Sequence, residues 1–233
     1  MQSWSHYLPI ITTIFSAWFA PQLLRRWRAQ RPAPHLFWWG LGVVAYGAGT
    51  VVESLTTLFG WHLAFFQAWY ITGALLGGAP LAQGTAYLLF RKRTANILAA
   101  AVLLAVLTAS IGVLLSPIDY TLVEPYRLSG QVLEWHWIRA FVPFINSYAL
   151  LVLVGGAALS AWKYWRRPGM ERRGLANVYI AIGGLLPGIG GSFARYGRVE
   201  VLYVTELLGL VLIYVGFRIA VTRPSAPPVL AFP

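Results

Sequence analysis

Seven apolar stretches, each about as long as a bilayer is thick, occupy almost all of this 233-residue chain. A run of about 20 apolar residues crosses the hydrocarbon core as a helix, because only helices and closed barrels satisfy every backbone polar group there. The runs fall at 8–28, 36–58, 64–90, 94–116, 138–163, 174–195 and 200–222. They predict an all-α polytopic membrane protein: one seven-helix domain over 1–223, a long connection at 117–137 and a Pro-rich tail at 224–233. Seven spans leave no room for a soluble catalytic module.

A net charge of +11 would suggest nucleic acid in a soluble protein, but the distribution of the charge argues otherwise. Fourteen of the eighteen basic residues follow alternate helices: Arg25, Arg26, Arg28 and Arg31; Arg91, Lys92 and Arg93; Lys163, Arg166, Arg167, Arg172 and Arg173; Arg218 and Arg223. Only Arg127, Arg139, Arg195 and Arg198 fall on the opposite side. The positive-inside rule then sets the N-terminus outside and the C-terminus in the cytoplasm. The basic belt is attracted to anionic headgroups, so the lipid bilayer is an expected partner and nucleic acid is not. Tryptophans near the span ends, among them Trp4, Trp38, Trp61, Trp135 and Trp165, mark the headgroup zone. The first helix lacks a charged leader and a small-residue cleavage site, and is read as retained.

The chain also reads as a parallel repeat of two helix triplets, about 8–90 and 138–222, joined by a linker helix at 94–116. Aligning Trp27 with Trp165 superposes two basic helix ends. Small shifts then match Gly42, Gly47 and Gly49 with Gly183, Gly188 and Gly190, and Gly73 with Gly209. Chance recurrence of common membrane-protein features is the alternative. Phe19-Ala20-Pro21-Gln22, followed by Arg25, Arg26, Trp27 and Arg28, resembles the Pro-Gln signature of PQ-loop proteins, which include SWEET-type sugar transporters and cystinosin-like exporters. The resemblance implies a 3+1+3 arrangement with the N-terminus outside, and transport of a small solute. In the second triplet the equivalent pair is Leu159-Ser160. The chain is also similar to bacterial seven-helix membrane proteins, which implies a bacterial cytoplasmic membrane and no particular activity.

Pro21, Pro80, Pro143 and Pro187 lie inside the spans, where each removes a backbone hydrogen bond. The glycine-rich run Gly183–Gly191 around Pro187 predicts a bend or local unwinding of the sixth span. Pro21, Pro187 and Gly188 are candidate hinges for alternating access; tight packing around a fixed kink is the other reading.

The sharpest site signal is Tyr46, Thr50, Glu53 and Thr57, spaced four, three and four, which share one helix face. Glu53 lies roughly 7–8 Å below the outer helix end. Tyr203 and Glu206, on the seventh span, reach a similar depth. Gln67, Tyr70, Arg139, Asn146, Ser147 and Arg195 are the nearest companions by depth. Ionised groups in hydrocarbon face the bundle interior and are paired. The expectation is an outer polar pocket of Glu53, Glu206, Tyr70 and Arg139, joined by Tyr46, Thr50, Tyr203, Gln67 and Asn146. Such a cluster is either a ligand or proton site, or a structural Glu–Arg network that ties helices together.

Other chemistry finds little footing. With no cysteine there is no disulfide, thiolate metal site or iron–sulfur cluster. His6, His62 and His136 lie toward the outside and His35 toward the inside, too shallow for transmembrane haem ligation. Only His62, His136 and Glu134 faintly suggest zinc. The sole lysines, Lys92 and Lys163, sit at helix ends, where a retinal Schiff base cannot form. No cofactor and no catalytic residue are expected. Two functions stay open: binding or transport of a small solute, and a non-catalytic membrane subunit or sensor that binds lipid, pigment or a protein partner, as a homo-oligomer or within a larger complex.

Overall fold

The computed structural model describes residues 4–222, so the expected tail at 224–233 and the basic residue Arg223 lie outside the described residues. Among the described residues the chain is helical without a strand. A short 3-10 turn, Trp4–Tyr7, leads into α1 (Leu8–Ala29), and α2 is Pro34–Phe59. α3 (Leu63–Trp69) runs into a π-turn at Tyr70–Leu75, and α4 is Ala79–Leu89. α5 is Lys92–Leu115. α6 (Phe141–Ala149), a second π-turn (Leu150–Gly155) and α7 (Gly156–Trp165) form one unbroken rod. α8 (Glu171–Ala194) and α9 (Val199–Val221) complete the chain. Six segments are long and apolar enough to cross a membrane: Trp4–Ala29, α2, α5, His136–Trp165, α8 and α9. The protein is an integral, multi-pass membrane protein.

The apolar stretch at 64–90 differs from the single helix that its hydropathy predicts. The π-turn closes with Leu76 N–H donating to the Ile71 carbonyl, Gly77 N–H reaches the Gly73 carbonyl, and the chain turns before α4 restarts at Ala79 and Pro80. Two consecutive glycines propagate a helix poorly, and Pro80 cannot donate back across the turn, so the break falls between them. Hydropathy averages over such a break and cannot register it. At Gly183–Gly191, where the sequence predicts a bend or local unwinding, α8 runs as one helix through Pro187, so the backbone does not unwind.

Six of these rods close a ring. α1 packs on α2, α2 on α3–α4, α4 on α6–α7, α7 on α8, α8 most extensively on α9, and α9 back on α1. α5 stands outside, sealing the seam between α3–α4 and α6 with Val102, Val106, Ala109 and Val113. Its other face, including Leu104, Leu107 and Ile111, is exposed, as a lipid-facing surface should be. The connection at 116–140 folds back over one end of the ring in 3-10 turns, burying Val132, Leu133 and Ile138. Near the other end one apolar side chain from every ring member, Phe19, Val43, Leu81, Leu153, Ile180 and Phe217, converges on the axis. Together these leave a void of only about 20 Å³, about enough for one water.

Lipid tails are as apolar as leucine, so helices associate in a bilayer by close packing rather than by hydrophobic burial. Two glycine crossings carry that packing. A methyl on Gly49 would stand 3.0 Å from the Gly73 Cα, where α2 meets the π-turn, and one on Gly183 would stand 2.6 Å from the Gly209 carbonyl oxygen, where α8 meets α9. The Gly183 carbonyl is the acceptor that Pro187 leaves unused four residues later. A methyl on Gly209 would lie 2.6 Å from it, so the bare glycine lets α9 approach the freed oxygen. By contrast Gly188 is exposed, with nothing within 4 Å of an added methyl. Gly183→Ala should therefore lower stability by roughly 1–3 kcal/mol through overpacking, whereas Gly188→Ala should be neutral or stabilise by up to about 1 kcal/mol. Equilibrium unfolding in detergent checks the pair, and equal effects would contradict this packing.

Candidate functional site

A set of buried polar side chains lies at the ring end covered by the long connection, while Gln83 and Thr85 on α4 are buried apart from it, Gln83 accepting from the Tyr148 hydroxyl. On α2 the side chains of Tyr46, Thr50, Glu53 and Thr57 are all buried. The Tyr46 hydroxyl donates to the Glu206 backbone carbonyl at 3.0 Å, tying α2 to α9. Thr50 and Thr13 share a hydrogen bond of 2.9 Å between α2 and α1. Thr57 donates to the His6 carbonyl at 3.1 Å, and the His6 ring meets the buried Tyr203 ring edge-on.

Glu53 is 4% exposed, and its Oε1 accepts from the Trp69 indole N–H at 2.9 Å. Its carboxyl lies within hydrogen-bonding reach of the Glu206 carboxyl. The Oε2 atoms of both are enclosed and have no donor. Glu206 as a residue is only partly buried, but that exposure does not extend to Oε2. Among the described residues no lysine or arginine comes within ion-pairing distance of either acid; the ion pair present, Arg127–Glu124 at 2.6 Å, is in the covering connection. Two neighbouring carboxylates, dehydrated and without a counter-ion, repel strongly, and a shared proton would remove the repulsion and supply a missing donor.

Depth is legible from residue counting, but direction around the helix is not, and the remaining candidates divide accordingly. Tyr70 is buried on the side facing α5 and the connection, against Phe66 and Gly130. Gln67 is half-buried, and Arg139, in the turn before α6, and Asn146, on α6, are exposed. Neither Tyr70 nor Arg139 hydrogen-bonds to the acids. Pro21 is exposed within an unbroken α1, Pro187 packs against Gly209, and Gly188 faces open space. Sequence reasoning missed Trp69 and Thr13. Trp69 did carry a signal, since it lies seven residues inside its span, deeper than a headgroup-zone tryptophan, but only the π-turn that follows shows how α3 is set against α2.

The connection is latched as well as folded. The Trp61 amide donates to the Pro125 carbonyl at 2.7 Å, and Arg127 donates to the Ala194 carbonyl at the end of α8 at 2.9 Å. Asp119 starts one of its turns; hydrogen bonds from the Thr121 hydroxyl and amide hold its carboxyl below the usual carboxylate range.

No protein-family model and no curated protein matches the chain, so the functional argument rests on this geometry. Trp69→Phe removes the donor that the described residues give Glu53 Oε1 and should cost about 1–3 kcal/mol of stability. In a double-mutant cycle with Glu53→Gln, measured by unfolding in detergent, the two changes should couple by about 0.5–3 kcal/mol. Additivity would mean that the indole contact carries no energy.

Proposed function

We propose that this protein is a small-solute carrier of the bilayer in which Glu53 and Glu206 form a protonatable binding site in the outer half. The reading is carried by one observation: two acids from different helices meet inside the ring with no cation to neutralise them. A structural network would pair each acid with an arginine. Here the arginines lie elsewhere, and the open demand of the pair is for a proton or a small cation. Loading either one changes the charge between α2 and α9, the kind of local event that biases a two-state helix arrangement. Below the pair, the apolar constriction blocks the axis toward the basic end, as a carrier closed on one side requires.

In this reading the chain crosses the membrane seven times, with the broken α3–α4 rod as the seventh crossing, the N-terminus outside and the basic belt in the cytoplasm. The two triplets are parallel repeats in a PQ-loop-like arrangement. Support comes from a ring in which each triplet packs in chain order. Pro21 and the Pro187–Gly188 segment serve as hinges in the bacterial cytoplasmic membrane that the resemblance implies. The subunit or sensor reading instead needs a surface that binds a partner, and the acids would then be dispensable.

Proteoliposomes loaded with a pH-reporting dye test the reading. On imposing a pH gradient, wild type should pass protons faster than empty vesicles, and Glu53→Gln or Glu206→Gln should lower the rate about tenfold or more, as general acid–base groups typically contribute 10²–10⁴-fold. Wild-type flux equal to empty vesicles across a panel of added sugars, amino acids and amines would favour the subunit reading.

A further inference from the structure

The connection between α5 and α6 is a hairpin with a fixed base and a lightly held tip. At the base, Ile118 pairs with Leu133 in an antiparallel bridge. The Asp119 amide donates to the Val132 carbonyl at 2.9 Å beside it, and the Glu134 amide to the Pro117 carbonyl at 3.2 Å. Val132 and Leu133 are buried in the seam that α5 seals. The tip is the turn from Glu124 to Arg127, closed by its own bridge and by the ion pair between those two side chains. Glu124, Pro125 and Tyr126 are all exposed, so hydrogen bonds rather than packing hold the tip in place.

Those bonds reach opposite sides of the ring. The Pro125 carbonyl accepts from the Trp61 amide just after α2, and the Arg127 guanidinium donates to the Ala194 carbonyl that ends α8. Two ring members separate α2 from α8 in either direction. The tip therefore lies across the mouth of the ring, at the end where the Glu53 and Glu206 carboxyls are enclosed. Each anchor also works against itself. The Trp61 indole N–H and the Arg127 Nε–H are enclosed without an acceptor among the described residues, and such donors regain hydrogen bonds once water reaches them. What holds the tip down is chiefly the charge-assisted bond from Arg127 to the negative end of α8. A segment with few buried side chains, two anchoring bonds and two orphaned donors opens locally while the packed base stays folded.

We infer that residues 117–134 form a flap over the mouth of the ring and that Arg127 is its latch. When Arg127 leaves the Ala194 carbonyl, the tip swings away from α8 about the Ile118–Leu133 base and admits water and small cations to the two acids. The flap rests on the carrier reading for what it shields, but its opening is measurable without transport.

The chain has no cysteine, so a single introduced thiol reports access. Thr50→Cys places one among the enclosed polar groups, at a position 2% exposed, and Tyr196→Cys places one at a position 87% exposed. Reaction with a small methanethiosulfonate cation is timed on the full-length protein in lipid nanodiscs. With the latch intact, Thr50→Cys should react far more slowly than Tyr196→Cys. Arg127→Ala should speed the Thr50→Cys reaction about tenfold, the gain in open population when one charge-assisted hydrogen bond is lost, and Arg127→Lys should restore much of the protection. Arg139→Gln, an exposed arginine outside the flap, should leave the rate unchanged. Amide hydrogen exchange on the unsubstituted protein gives a second reading: the Trp61 and Arg127 amides at the tip should exchange faster than the Asp119 amide at the base. A Thr50→Cys rate indifferent to Arg127→Ala, an equal rise with Arg139→Gln, a Thr50→Cys thiol as reactive as Tyr196→Cys with the latch intact, or equal exchange at tip and base would each overturn the flap. Faster labelling in Arg127→Ala without proton flux in wild type would uphold the flap and remove the carrier reading.

Discussion

Hydrocarbon cannot solvate a polar group, and each irregular feature of this protein is arranged around that constraint. A membrane helix that breaks, bends at proline or carries an acid must find partners for the exposed groups inside the bundle. The break after Leu76 is placed within the ring, where Gly78 packs against Ala149 of the adjoining rod. The carbonyl freed by Pro187 is met by Gly209. Glu53 has the Trp69 indole on one oxygen, and beyond it only another acid. Among the described residues the acid pair leaves two enclosed carboxyl oxygens without a donor, as the Trp61 indole and the Arg127 Nε are left without an acceptor in and beside the covering connection.

The glycine crossings explain how the acids come to meet. α2 approaches the π-turn closely because Gly49 and Gly73 put no side chain between them, and the π-turn follows directly on Trp69, whose indole reaches Glu53. α9 is drawn onto α8 by Gly183 and Gly209, one turn from Glu206, and is fixed to α2 by the Tyr46 hydroxyl. Packing, backbone irregularity and site geometry are thus linked: a methyl at a crossing displaces not only a helix but also a carboxyl. The latched connection covers the ring end that holds the two acids, and the apolar constriction lies toward the other end.

Span positions were legible in the sequence because hydropathy reports length and polarity directly; α1, α2, α5, α8 and α9 begin and end within a few residues of expectation. What hydropathy does not encode is the hydrogen-bond register of the backbone, so the break in α3–α4 and both π-turns were hidden, although Gly77, Gly78 and Pro80 marked the first. The run around Pro187 stays helical, and the close approach of Gly209 from another helix is not encoded along the run itself. In the site, the i, i+4, i+7 spacing on α2 and equal residue counts to the helix ends brought Glu53 and Glu206 to one depth. Arg139 shares that depth but is exposed in the turn before α6, and no count along a helix gives its azimuth.

The central claim is that Glu53 and Glu206 hold a proton between them. Infrared spectroscopy of the protein in lipid at neutral pH reads this directly, through the carbonyl stretch of a protonated carboxyl, which is well separated from that of carboxylate. The wild type should show the band, and Glu53→Gln/Glu206→Gln should lack it with the fold otherwise intact. A wild-type spectrum with no protonated carboxyl at neutral pH would mean that both acids are ionised, and would contradict the account.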